Sequence, residues 1–205
     1  MITPIFLHAG VIHIFFNVAV QIETGSFFEK EWGSAIWITI YLSSAIGGSI
    51  LSTVAIPNTI GVGSSGAVCG LFGGKIAEFC CRLCMSKDSV QEKISHGVLM
   101  EQFGATMCTI ILVTVFSFIP YIDWAAHLGG LGFGFCVGLI IFSLRIEEMR
   151  FRIIWCTFAV TLTIVGFGTC ITYIVTESKK EISDQLSDVC AYYESYYRDY
   201  QCHCN

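Results

Sequence analysis

A hydroxyl at Ser65, an imidazole at His127 and a cluster made by His8, His13 and Asn17 stand out from a chain that is otherwise apolar around them. Such groups are costly inside a bilayer unless they pair, line a water-filled cavity or take part in chemistry. Ser65 stands in Gly63-Ser64-Ser65-Gly66, at the head of an apolar stretch. If that stretch is helical, the free backbone N–H groups and the positive end of its dipole gather at this serine. His127 is followed by Gly130, Gly134 and Gly138. At about 100° per residue these glycines fall within about 60° of His127, so imidazole and bare stripe share a face that can press on a neighbour. His13 and Asn17 are four residues apart and also share a face, with His8 five residues before His13. Taken singly, the His and Asn residues suit interhelical hydrogen bonding and the glycines suit tight helix packing. Neither reading needs a serine at a helix start. A hydroxyl, an imidazole and a group of hydrogen-bond donors, if brought to one level, are the parts of an acyl-transfer site.

Membrane helices must do the positioning. The 205 residues are 54% apolar and 13% charged, with mean hydropathy +0.69; a soluble domain carries about 25% charged residues. Stretches long enough to span lie at roughly 4 to 22, 35 to 56, 64 to 81, 103 to 119, 124 to 144 and 153 to 175. The expected fold is therefore all-α, a polytopic transmembrane bundle over 1–176 followed by a polar, Cys- and Tyr-rich tail over 177–205. The first stretch lacks a basic flank and contains His8, His13 and Asn17, so it reads as a span rather than a signal peptide. Lys30, then Arg82, Lys87 and Lys93, then Arg145, Arg150 and Arg152 lie in alternate connections, whereas the PNTIGVG and IPYID turns carry no basic residue. Spans one, three and five therefore start outside, and the tail ends outside. Ser65, His127 and the His13–Asn17 pair come to similar shallow depth. An external N-terminus before an even number of spans also points to a preceding segment.

The net charge is −5, and residues 177–205 hold three basic and six acidic side chains. Neither part offers a basic surface for nucleic acid, and the tail reads as a segment with little fixed structure. Of the eleven cysteines, Cys69, Cys80, Cys108, Cys136, Cys156 and Cys170 lie in apolar segments as small hydrophobes. Cys81 and Cys84 adjoin the cytoplasmic end of span three, and Cys190, Cys202 and Cys204 lie in the tail, where oxidation is permitted. Cys202-His203-Cys204 lacks a fourth fixed ligand, so no metal is expected. Lys75 is odd within a span; Glu78 is placed to pair with it, or its ammonium to reach the cytoplasmic surface. Asp123 precedes an apolar helix and reads better as its N-cap than as a partner of His127.

These residues, in this order on outside-starting spans, resemble the rhomboid family of intramembrane serine proteases. The family carries a His, four residues, a His, three residues and an Asn, here His8, His13 and Asn17; Gly-x-Ser-Gly, here Gly63 to Gly66; and Ala-His with spaced glycines, here Ala126-His127 with Gly130, Gly134 and Gly138. The resemblance runs from about residue 2 to about 145. It implies a serine endopeptidase with a Ser-His dyad, in which Ser65 attacks the scissile carbonyl and His127 takes and returns the proton. It further implies that the Ser65 backbone N–H and the His13 and Asn17 side chains hold the oxyanion, that His8 helps fix the first loop, and that Gly63, Gly66, Gly130 and Gly134 support the site.

The implied substrates are single-span membrane proteins, cut near the outer or lumenal side after a small residue where the helix unwinds. No cofactor is implied, and the oligomeric state is left open. A sixth span after the His helix resembles the eukaryotic secretory-pathway arrangement, with six core helices and a seventh at the C-terminus. That implies residence in the secretory pathway or plasma membrane, with site and tail lumenal or extracellular. On that plan the first core helix and most of the loop after it, including a Trp-Arg pair, lie outside this chain. Cys69 stands where the family usually places an aromatic ring under the imidazole, which predicts a more loosely placed His127. Both departures motivate an alternative, a non-catalytic rhomboid-like protein that binds or escorts membrane clients; the presence of both Ser65 and His127 speaks against it.

Overall fold

A computed structural model describes residues 2–57, 61–83, 90–117 and 122–196, without side-chain detail at 90–93 and 178–196. A 3-10 turn at Thr3–Phe6 leads into α1 (Val11–Val20), a wide π turn (Gln21–Gly25) and α2 (Ser26–Trp32), which together form one membrane-length rod. Gly33, at φ 86°, turns the chain into α3 (Ser34–Ala55). Then follow α4 (Ser65–Leu83), α5 (Val90–Ser117), α6 (Trp124–Ser143) and α7 (Met149–Tyr196).

The fold is the expected helical bundle, with several boundaries moved. The first helix starts at Val11, so His8 lies ahead of it rather than on it. α5 starts at Val90 instead of near 103, because an apolar scan marks what fits in lipid, and the helix continues below through polar helix formers. α7 runs to Tyr196, so helix replaces the unstructured stretch expected over most of the tail. No Gly or Pro follows Gly168 to stop it. Residues 197–205, with Cys202 and Cys204, fall outside the described residues.

Five described rods are long and apolar enough to cross a membrane: Val11–Trp32, Ser34–Ala55, Ile94–Ser117, Trp124–Ser143 and Met149–Glu177. The exception is α4, which carries Lys75, Glu78 and Arg82. Its neighbours compensate. α4 is buried over most of its length, packed chiefly against α6 and α3, so Lys75 and Glu78 meet protein instead of lipid.

Glycines make that centre possible. A Cβ at Gly130 would run into the Gly66 carbonyl, and one at Gly134 into the Gly70 carbonyl. At Gly138 it would come within 2.9 Å of the Gly74 Cα. On the other flank, a Cβ at Gly48 would lie 2.7 Å from the Ala126 carbonyl oxygen, and one at Gly129 would lie 2.8 Å from that of Gly47. α6 therefore touches both α3 and α4 backbone to backbone, the close approach that small residues permit between membrane helices.

In the half of α4 away from Ser65, Lys75 is 1% exposed and does not reach the surface. Its Nζ lies 2.6 Å from Glu31 Oε2 and 2.9 Å from Glu78 Oε2, and the Trp32 indole N–H donates to the same Glu78 oxygen at 2.9 Å. Arg82 approaches Glu78 Oε1 at 3.6 Å. The cluster ties α2 to α4. Removing one member of such a buried set leaves its partners' charge uncompensated, which costs about 3–5 kcal/mol. Lys75→Met is therefore expected to lower stability by about 3 kcal/mol, and adding Glu78→Gln to recover part of it, as read by unfolding in detergent. A single variant as stable as the parent would show that the pair contributes nothing.

Candidate active site

The loop before α4 is shaped from both sides. Gly63 has φ 112°, a backbone region open mainly to glycine, and a Cβ there would sit 2.8 Å from His13 Cε1 and 3.0 Å from Nε2. Its N–H donates to the Pro4 carbonyl at 2.9 Å, so the N-terminal 3-10 turn fastens the loop. The first helical bond of α4 runs from Val68 N–H to the Ser64 carbonyl at 3.0 Å. The Ser65 N–H therefore belongs to the set left without an intrahelical acceptor.

α1 brings its donors to the same point. The Ala9 N–H donates to His13 Nδ1 at 3.2 Å. An accepting Nδ1 leaves the proton of a neutral ring on Nε2, which is the nitrogen nearest Gly63. Asn17 is buried; its Nδ2 donates to the His13 carbonyl at 2.9 Å, and its Oδ1 accepts from Ser64 Oγ at 3.1 Å. Ser64 thereby fixes which way the amide points and leaves one Nδ2 hydrogen free to face outward. His8 meets His13 edge-on, with ring centroids 5.4 Å apart, and its Nε2 has no hydrogen-bond partner among the described residues.

α6 supplies the imidazole. Asp123 caps the helix, its Oδ1 accepting from the Ala126 N–H at 2.8 Å, while its Oδ2 accepts from Ser52 Oγ at 2.6 Å. With both oxygens so engaged, Asp123 is the N-cap and not the orienting partner of His127. His127 Nε2 lies 2.7 Å from Ser65 Oγ, within reach for proton transfer. Its Nδ1 lies 2.6 Å from Ser117 Oγ, at the last residue of α5. Cys69 is buried and offers no ring, yet the imidazole is held at both nitrogens rather than loosely.

Ser65, His127, His13 and Asn17 thus converge, with Gly63 and Gly66 lining the junction and Gly130 and Gly134 holding the two helices together. Ser65 and His127 are half-buried, so the pair is not sealed from its surroundings. Ser117 and Ser52 escaped the sequence reading, since a lone serine in a span usually bonds its own helix, and Ser64 was read only as the variable residue of Gly-x-Ser-Gly. One signal was available for Ser117. It closes the span before the IPYID turn, and so returns to the depth of His127. Among the described residues no three His, Cys, Asp or Glu side chains gather as a metal site.

Comparison with known proteins agrees with this architecture. A Rhomboid domain model matches residues 1–144. The chain is 34% identical over 141 residues to RHOMBOID-like protein 6, mitochondrial, of Arabidopsis thaliana, a match covering 69% of this chain and 43% of that protein. It is 33% identical over 141 residues to Rhomboid-like protease 1 of Toxoplasma gondii, covering 68% and 46%. With Rhomboid-like protease 3 of the same organism it shares 28% identity over 158 residues, covering 76% and 56%. The chain therefore spans about half or less of the length of these relatives. A domain match that runs from the first residue through α6, laid over a membrane bundle of this form, makes the chain a member of the rhomboid family.

Proposed function

We propose that this chain carries the catalytic core of an intramembrane serine endopeptidase, working through a Ser65–His127 dyad on single-span membrane proteins. The 2.7 Å approach of Ser65 Oγ to His127 Nε2 carries the reading. Ser65 Oγ bonds to the scissile carbonyl carbon as its proton passes to His127 Nε2, and the carbonyl oxygen takes the negative charge. The Ser65 N–H, the His13 Nε2–H and the free Asn17 Nδ2 hydrogen receive that oxyanion, at a helix N-terminus that favours it. The C–N bond then breaks, and the Nε2 proton goes to the departing amine. Water enters from the outer side, gives its proton to His127 and its oxygen to the acyl carbon, and Ser65 is released with its proton restored.

The placement of basic residues supports a site on the outward or lumenal side, and the apolar helix α7 after the His127 helix supports the secretory-pathway or plasma-membrane arrangement. The word "mitochondrial" belongs to one plant relative's name.

A fluorophosphonate probe tests the nucleophile without a known substrate. Ser65 is expected to label covalently, and labelling to vanish in His127→Ala, since an unassisted hydroxyl is a weak nucleophile. Equal labelling of that variant would exclude the dyad, and no labelling of the parent chain would favour a protein that only binds.

A further inference from the structure

We infer that Ser117 is the third, positioning member of the site, fixing the tautomer of His127 as a carboxylate does in a triad, an assignment that rests on the dyad reading above. Ser117 Oγ has one proton, and a carbonyl that accepts only is in reach: Val113 O at 2.7 Å, one turn back on α5. With its proton given there, Oγ meets His127 Nδ1 at 2.6 Å as an acceptor. Nδ1 must then carry the ring proton. Nε2 is left with its lone pair toward Ser65 Oγ at 2.7 Å, which is the only tautomer able to take the serine proton. The opposite tautomer would point an N–H at Ser65 and abolish base catalysis.

Among the described residues no other group competes for this position. Asp123, the acid nearest in sequence, is engaged by Ala126 and Ser52. Cys69, four residues after Ser65, is buried and presents no stacking surface. Orientation therefore comes from the far nitrogen instead of from the ring face. Because Ser117 stays neutral, it selects the tautomer without adding charge to stabilise the imidazolium. Its effect should accordingly be smaller than that of a triad carboxylate, whose loss costs about 10⁴-fold.

Thr and Val at position 117 separate bonding from packing, since they have the same shape and only Thr keeps a hydroxyl able to bond the i−4 carbonyl. In the full chain, with a single-span reporter, Ser117→Val is expected to lower kcat about ten- to hundredfold at nearly constant KM, and to slow fluorophosphonate labelling by a similar factor. Ser117→Thr should stay within about threefold of the parent. In ¹⁵N-histidine spectra the parent His127 should be protonated at Nδ1, and the Val variant should show both tautomers. Val and Thr variants of equal activity, or an unchanged tautomer in the Val variant, would overturn the role of Ser117 while leaving the dyad standing. Undiminished cleavage by Ser65→Ala would instead overturn the dyad itself.

Discussion

Ser65→Ala is expected to bring cleavage of a single-span reporter down by about 10⁴- to 10⁶-fold, to the floor of the assay, with the fold and expression unchanged. The size of the loss follows from the absence of a substitute among the described residues. Ser64 stands beside Ser65, but its hydroxyl is bonded to Asn17 Oδ1 at 3.1 Å. Cys69 lies on the next turn, but it is buried and not paired with His127. Transition-state binding by His13, Asn17 and the backbone would then serve only direct attack by water, which leaves a small residual rate. Reporter cleavage in proteoliposomes, with unfolding midpoints measured alongside, checks this; a variant retaining a tenth of parental activity would move the nucleophile elsewhere.

Gly134→Leu is expected to cost about 3 kcal/mol or more and to abolish fluorophosphonate labelling, even though position 134 touches neither reacting side chain. Its Cβ would enter the Gly70 carbonyl, which is backbone and cannot turn aside. α4 and α6 must then separate, and the 2.7 Å contact between their N-terminal ends opens with them. Gly132→Leu is the matched control, since a Cβ there meets nothing within 4 Å. Unfolding in detergent and the rate of probe labelling should move together for position 134 and stay near parental values for 132. Labelling that survived in Gly134→Leu would show that the site does not depend on this close approach.

Much of this was legible in the chain itself, and for identifiable reasons. Glycines at a spacing of four, with His127 on the same face, required a close neighbour, and the only other outside-starting span with such a stripe began at Ser65. Asp123 was legible as a cap because the chemistry of a helix start is local. Ser117 was not, because its partner lies on another helix and its type is common in spans. The Lys75 cluster was half legible. Glu78 is a neighbour along the helix, whereas Glu31 and Trp32 arrive from a helix 44 and 46 residues away in sequence from their respective partners. Helix ends were the least legible, since solvation sets where the lipid stops and not where the hydrogen bonding stops.

The π turn at Gln21–Gly25 lets one rod serve two neighbouring demands that a uniform helix would set against each other. Above it, His13 and Asn17 are aimed at Ser64 and Gly63; below it, Glu31 and Trp32 are aimed at Lys75 and Glu78. A π turn takes in one residue more than an α turn, and so resets the angular phase between the two halves. The His13–Asn17 end and the Glu31–Trp32 end of the rod therefore each face their own partners on or beside α4, at an angular offset an unbroken α-helix would not give.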